Sequence, residues 1–381
     1  MVKQIAIIGA SYLQVPLIEK VKELGYISHV FAWECGDVGE KIADFFYPIS
    51  IVEKDLILEK CKEINIDGIC SIASDLAAIT VNYVAEKLSL NGNTISATEI
   101  STNKHMMRNA FEKNGDPSPK SYLLDDTTGI DELILEYPVI VKPTDRSGSR
   151  GIYKLDNPEM LKIAVEKAMA ESFEKKALVE EYVSGQEYSV EYISYKGKHH
   201  FLALTQKYTT GAPQFIETAH LEPAPVDETT LKRIKSVVEH ALDTLQIKNS
   251  ASHSEIKIDK YGSIKIIEIG GRMGGDCIGS DLVYYSTGID FVRAVIQVAC
   301  DQEPDLRRTR NPEPVKSVFI FNKEDYEEYE RLKSSAPNMI LREAFLDIEL
   351  LDKATDSSNR AGCYIMKAVD DCEKDADKWR K

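Results

Sequence analysis

No stretch of this 381-residue chain approaches the roughly 20 consecutive apolar residues that a membrane-spanning helix needs, which argues against a membrane partner. The opening MVKQIAIIGASYLQVP has too short an apolar core for a signal peptide and reads as a buried first strand. Cysteine is sparse: seven residues, odd in number and never spaced as CxxC. That pattern speaks against a zinc site or a disulfide framework and for a reducing cytoplasm. Positive charge is also short, since the net charge is −15, and this disfavours nucleic acid as a partner. An anionic nucleotide would need a local cluster of Lys and Arg against that background. Two glycine signatures are missing as well. Gly9-Ala-Ser-Tyr-Leu lacks the second and third glycines of GxGxxG, which counts against the usual dinucleotide site and leaves a dehydrogenase built on the N-terminal unit as a rival that NAD-dependent stabilisation would reveal. The phosphate-binding pattern GxxxxGK[ST] is absent, as are internal repeats and low-complexity tracts.

What is present is ordinary globular composition, 43% hydrophobic and 29% charged, and enough length for two or three structural units. Residues 1 to about 100 alternate strands and helices as a small doubly wound α/β unit. Its strands lie at Ile5–Ile8, Ser28–Trp33 and Gly68–Ile72, and a helix runs near Asp75–Leu88. In such sheets ligands sit at the strand C-terminal ends, here Gly9 or Ser74-Asp75. A helix follows at 103–113, then a β-branched strand ending in Lys142 and the polar loop Thr144–Gly151. A glycine-containing loop after a lysine can offer backbone N–H groups to phosphates.

The densest chemistry lies in HSEIKIDKYGSIKIIEIGGRMGGD, residues 253–276. Two alternating runs flank a turn signal, Asp259–Gly262, of the kind that closes a hairpin. Pairing Asp259 with Gly262 across a two-residue loop sets Glu255 opposite Ile266 and Glu268 opposite His253. In that register Glu255 and Glu268 are diagonal neighbours on one face, able to share a divalent cation. A slip of one residue would part them. The glycine loop after Glu268 suits close approach of backbone to a ligand, with Arg272 as a fixed positive charge and Gly274 and Gly275 as tentative substrate contacts. Carboxylates followed by an arginine in a glycine loop point to phosphate or acyl-phosphate chemistry. In the segment before residue 223, Glu217 would meet an amine and His220 would assist proton transfer, although a plain polar loop explains both equally well. His253 is either a support for the metal site or an ordinary strand histidine, and Cys277 reads as packing.

Taken in order, the lysine helix, VKPTDRSGSRG, VEEYVSGQEYSVE, HSEIKI and IEIGGRMGG resemble the ATP-grasp superfamily of carboxylate–amine ligases, in its biotin-carboxylase-like branch that includes amino-acid ligases. The resemblance implies an α/β and α+β chain with an ATP-grasp fold. A Rossmann-like pre-ATP-grasp domain would occupy residues 1–102, the ATP-grasp domain 103–300 with a lid at about 120–190, and a small C-terminal sheet domain 301–381. It implies ATP and Mg2+ (or Mn2+) as cofactors, with Lys104 and Lys142 on the phosphates and Ser147, Gly148, Ser149 and Gly151 closing over them. Glu180, Tyr182 and Val183 would bind adenine and Glu187 the ribose. Glu255 and Glu268 would hold the metal, with Arg272 and Lys142 as catalytic residues. One position departs: where many members have Asn two residues after the second metal glutamate, this chain has Gly270. The implied partners are a small carboxylic acid and an amine. A homodimer is compatible with the C-terminal segment, which in this branch often completes the substrate pocket or an oligomer interface. Bicarbonate activation and a silent nucleotide-binding protein are the alternatives left open.

Overall fold

A computed structural model describes residues 2–146, 150–212, 215–357 and 359–368. The described residues form three sheets. Strands β1 (Gln4–Ile8), β2 (Ile27–Phe31), β3 (Phe45–Tyr47) and β4 (Gly68–Cys70) make a parallel sheet in the order β3-β2-β1-β4. Helices cover both faces, as the near-continuous apolar run of β1 requires. The helix after β4 runs Asp75–Leu88, and its first turn is capped by the Ser74 side chain, which accepts from the Ala77 N–H.

A second, antiparallel sheet has the order β5-β8-β6-β7, from β5 (Ser121–Leu124), β6 (Val139–Pro143), β7 (Tyr153–Leu155) and β8 (Ala177–Glu181). The helix Leu161–Glu171 buries Ala164, Val165 and Ala168 against Val139, Val141 and Val179.

The largest sheet contains β9 (Gln186–Tyr195), β10 (Lys198–Thr209), β11 (Glu217–Glu222), β12 (Ser250–Ile258), β13 (Ile264–Gly270), β14 (Val315–Ile320), β15 (Ile340–Leu346) and β16 (Gly362–Lys367). Their order is β13-β12-β9-β10-β11-β14-β16-β15, all antiparallel. The strands of residues 301–381 therefore sit at the far end of this sheet, joined through the β11–β14 pairing of Leu221 with Lys316. Under the near end, the amphipathic helix Glu228–Thr244 buries Ile234, Val238, Ala241 and Leu242 against Val190, Ile256, Ile266 and Ile269. The strongly apolar helix Phe291–Ala299 packs on Ile5, Ile7 and Leu17 of the parallel unit and on Ile193, Leu202 and Ala251 of the large sheet, so one core joins the two.

Candidate functional site

The β12–β13 hairpin departs from simple counting in two places. Its loop is one residue longer, because Asp259 pairs with Ser263 and the Asp259 side chain accepts from the Tyr261 and Ser263 N–H groups. Gly262 closes the turn at φ +79°, a left-handed conformation that favours glycine. Ile256 consequently faces Ile266, a slip of one that on its own would send the two glutamates to opposite faces. A β-bulge between Glu255 and Ile256 restores them, since Ile267 is left over and Glu255 pairs directly with Glu268. Ile266 and Ile269 are buried in the core below, while Ile267 and Glu268 both line the cavity above. The expected diagonal register is thus replaced by a direct pair. Carboxylates directly opposite on one face lie closer than diagonal ones.

Around this pair the cleft between the β5-β8-β6-β7 sheet and the large sheet gathers Lys104, Lys142, Glu180, Tyr182, Val183, Glu187, Glu217, His253, Glu255, Glu268 and Arg272. Lys104 is buried, reaches Glu268 at 2.8 Å and donates to the Arg146 carbonyl. Burial opposes its charge, but Glu268 holds its ammonium above the usual value. Lys142 ends β6 and meets Glu180 at 2.6 Å. Burial lowers the Lys142 ammonium despite the pull of Glu180, with Arg108 and Lys104 adding to the effect. The fully enclosed Glu180 carboxylate also accepts from Arg108 Nε at 2.8 Å. Burial alone would raise it, but Arg108 and Lys142 hold it below the carboxylate range. The Glu180 carboxylate is therefore already engaged by two cations, Arg108 and Lys142, at the edge of the cavity. Tyr182 sits between Lys154 and Lys257, whose ammonium groups lie 4.7 and 5.7 Å from its ring centre.

Lys207, which the sequence reading did not single out, is the centre of the site. Its buried ammonium lies 2.5 Å from Glu255, 3.1 Å from Glu187 and 3.6 Å from Glu217. These carboxylates drive its charge far above the usual lysine range against burial, and Lys207 in turn holds Glu255 well below the usual carboxylate range. The signal in sequence was slight, one lysine near the end of the strand β10 after the apolar run Phe201–Leu204. His253 is bonded through Nδ1 to Glu191, and its Nε2 lies 3.6 Å from Glu255. Burial lowers its pKa, but Glu191 more than offsets this and raises it to about 9. Arg272 is held by Asp75 of the parallel unit, Nε to Oδ1 and Nη2 to Oδ2 at 2.8 Å each.

Three expectations are corrected. His220 does not reach the cavity: it is fully buried beside Lys207, its cross-strand partner, edge-on to Phe319, with neither ring nitrogen bonded. Burial and then Lys207 depress its pKa to about 3, which leaves no proton to transfer near neutrality. Gly274 and Gly275 face away from the main cavity and line a separate crevice beside Tyr12. The Gly274 N–H donates to Glu191 at 3.2 Å, and a Cβ there would meet His253 Nδ1 at 2.6 Å, so this glycine makes room for protein rather than substrate. Cys277 is buried beside Cys363, in packing, as expected. Ser147, Gly148 and Ser149 lie outside the described residues. Gly151, at φ +68°, packs against Glu171 and Pro143 and does not line the cavity.

The donor set fits a hard divalent cation. Glu255 and Glu268 are paired carboxylates facing one cavity, each balanced by a lysine, and oxygen-only ligands suit Mg2+ or Mn2+.

Comparison with known proteins agrees with this geometry. Residues 135–281 match the ATP-grasp domain family. The alanine–anticapsin ligase of Bacillus subtilis (strain 168) is 28% identical over 305 residues, covering 69% of this chain and 63% of that relative. The chain thus spans less than two thirds of that protein's length. The D-alanine–D-alanine ligase of Thermosipho africanus is 30% identical over 137 residues, 33% of this chain and 35% of that protein. Among solved structures, an L-amino acid ligase from Bacillus licheniformis superposes with a TM-score of 0.81 at 23% identity, over 99% of this chain and 96% of that one. Residues 135–281 are thus similar to the ATP-grasp domain family, and over its length the chain shares the fold of these ligase structures.

Proposed function

We propose that this protein is an ATP-dependent ligase that joins a small carboxylic acid, such as an amino acid, to an amine and releases ADP and phosphate. The observation that carries this reading is one cavity lined by the facing carboxylates Glu255 and Glu268, the buried lysines Lys104, Lys142 and Lys207, and Arg272. A carboxylate attacking the γ-phosphate of ATP brings anion to anion, and the repulsion must be offset in a closed site. Lys104 and Lys142 supply fixed positive charge for the phosphates, and Arg272 supplies it for the acyl phosphate and the tetrahedral oxyanion formed when the amine attacks. Magnesium held by Glu255 and Glu268 would add Lewis-acid neutralisation of the phosphates. Tyr182 and Val183, at the turn between β8 and β9, and Glu187 line the same cavity, and in this reading the first two would meet the base and Glu187 the ribose hydroxyls. Glu217, hydrogen-bonded by Ser357 at 2.5 Å, is the carboxylate that would meet an amino group.

The printed activities of the relatives, joining alanine to anticapsin and D-alanine to D-alanine, support an amino acid on at least one side. Among the described residues the cysteines are free thiols, which supports a cytoplasmic setting. No helix among the described residues is long and apolar enough to cross a membrane. The test is to supply Mg-ATP with pools of amino acids, other acids, amines and bicarbonate, and to follow ADP and phosphate. Release that requires an acid together with an amine is expected. Release with bicarbonate alone would replace this reading by a carboxylase, and ATP binding without turnover in any pool would contradict catalysis.

A further inference from the structure

Gly270 stands where an Asn side chain is common in this branch, and its surroundings show why none fits here. A Cβ built on Gly270 would meet Asp75 Oδ1 at 2.8 Å and Arg272 Cζ at 3.1 Å. That space is already filled by the Asp75 carboxylate and the Arg272 guanidinium it grips. The grip is side-on. Asp75 takes the Nε and one Nη2 hydrogen, so the other Nη2 hydrogen and both on Nη1 remain. Nη1 makes only a long contact of 3.4 Å to the Met273 carbonyl. A second tie holds the same two loops together, since the Ala73 N–H donates to the Met273 carbonyl at 3.1 Å. Asp75 opens the helix Asp75–Leu88, so its carboxylate is carried on a rigid element of the parallel unit.

We propose that Asp75 is a positioning residue. It clamps one edge of Arg272 so that the remaining N–H groups are aimed into the cavity, and Gly270 is side-chain-free to admit the clamp. The inference rests on the reading of Arg272 as the group that stabilises the reacting phosphoryl and acyl oxygens. A free arginine would pay rotamer entropy and reorganisation at the moment of reaction, and a clamped one does not. The clamp also makes the parallel unit part of the site, because Arg272 is set by a residue that unit supplies.

The test is a cycle of Asp75→Asn, Gly270→Ala and the double variant. Asp75→Asn keeps the volume and removes the charge, while Gly270→Ala keeps both partners and only crowds them. Each single change should lower kcat for ADP release by about 100-fold, the scale seen on losing one oxyanion donor, with KM for Mg-ATP unchanged. Because both act on one contact, the double variant should be no worse than the poorer single. A near-wild-type kcat in either single variant, or losses that multiply, would overturn the proposal. A second readout needs no turnover: binding of inorganic phosphate to the protein saturated with Mg-ADP. Asp75→Asn should weaken phosphate about tenfold and leave Mg-ADP affinity unchanged. Equal phosphate affinity, or no phosphate binding by the unmodified protein, would overturn the clamp even if the ligase reading stands. Failure of Mg-ADP to bind at all would instead bring down the nucleotide reading. Denaturation of the same four proteins would then still decide whether residues 75 and 270 are coupled, and additive losses of stability would overturn the clamp.

Discussion

Lys207, Lys104 and Lys142 are each nine-tenths or more buried and each lies against at least one carboxylate, which is the condition under which buried charge survives. The arrangement also decides which substitutions spare the fold. Lys142→Ala leaves Glu180 still gripped by Arg108, so the chain should fold while ATP affinity falls by tenfold or more; calorimetry with Mg-ATP checks this, and unchanged affinity removes Lys142 from the site. Glu222 presents the opposite case. It is fully buried at the end of β11, accepts from Thr205 Oγ1 at 2.6 Å, and has no cation beside it among the described residues, so burial raises its pKa to about 8. The folded protein holds this proton where the unfolded chain has lost it. Its contribution is therefore fully present below about pH 4.5 and is lost as pH rises towards 8. Glu222→Gln should flatten the fall of stability across that window, measured by urea denaturation at pH 5, 6.5 and 8. A fall as steep as in the unmodified protein would show that another group is responsible.

At the scale of the element, the hairpin shows how far local pattern carries. The alternation in residues 254–258 and 263–269 was enough to find both strands, and the presence of Glu255 and Glu268 on one cavity was legible from it. The register was not. Turn length depended on the Asp259 side chain bonding the backbone, and the bulge depended on burying Ile266 and Ile269 together, a spacing that two-residue periodicity does not allow without an extra residue. Ile264, Ile266 and Ile269 were the trace of that bulge in the sequence. Gly262→Val should cost about 1–2 kcal/mol through strain at φ +79°, read from denaturation. Because the turn lies away from the cavity, ADP release by the folded fraction should persist, and a complete loss would show that the hairpin tip takes part in the site.

Across the whole molecule the site exists only because three sheets meet. The β5-β8-β6-β7 sheet brings Lys142 and Glu180, the large sheet brings Lys207, Glu255 and Glu268, and the parallel unit brings Asp75. The sequence pointed to Lys142, Glu180, Glu255 and Glu268 through the order of its motifs, and to Ser74-Asp75 through their place after a strand. It could not reveal Lys207, whose partners come from three other strands, nor the joining of β14 to β11, since long-range pairings leave little mark on local periodicity. The helix Phe291–Ala299 is the structural joint, and Phe291 is almost fully buried in the shared core. Phe291→Ala should destabilise the protein by about 3–5 kcal/mol, measured by denaturation, and a loss below 1 kcal/mol would show that the two units do not depend on this joint.

The most direct test of the account follows an oxygen atom. Once a productive acid and amine are known, the acid is supplied with 18O in its carboxylate and the released phosphate is analysed by mass. If the carboxylate attacks the γ-phosphate and the amine then displaces phosphate, one labelled oxygen leaves with each phosphate. Unlabelled phosphate alongside a fully labelled acid would show that ATP was hydrolysed by water, and would contradict acyl-phosphate chemistry in this site.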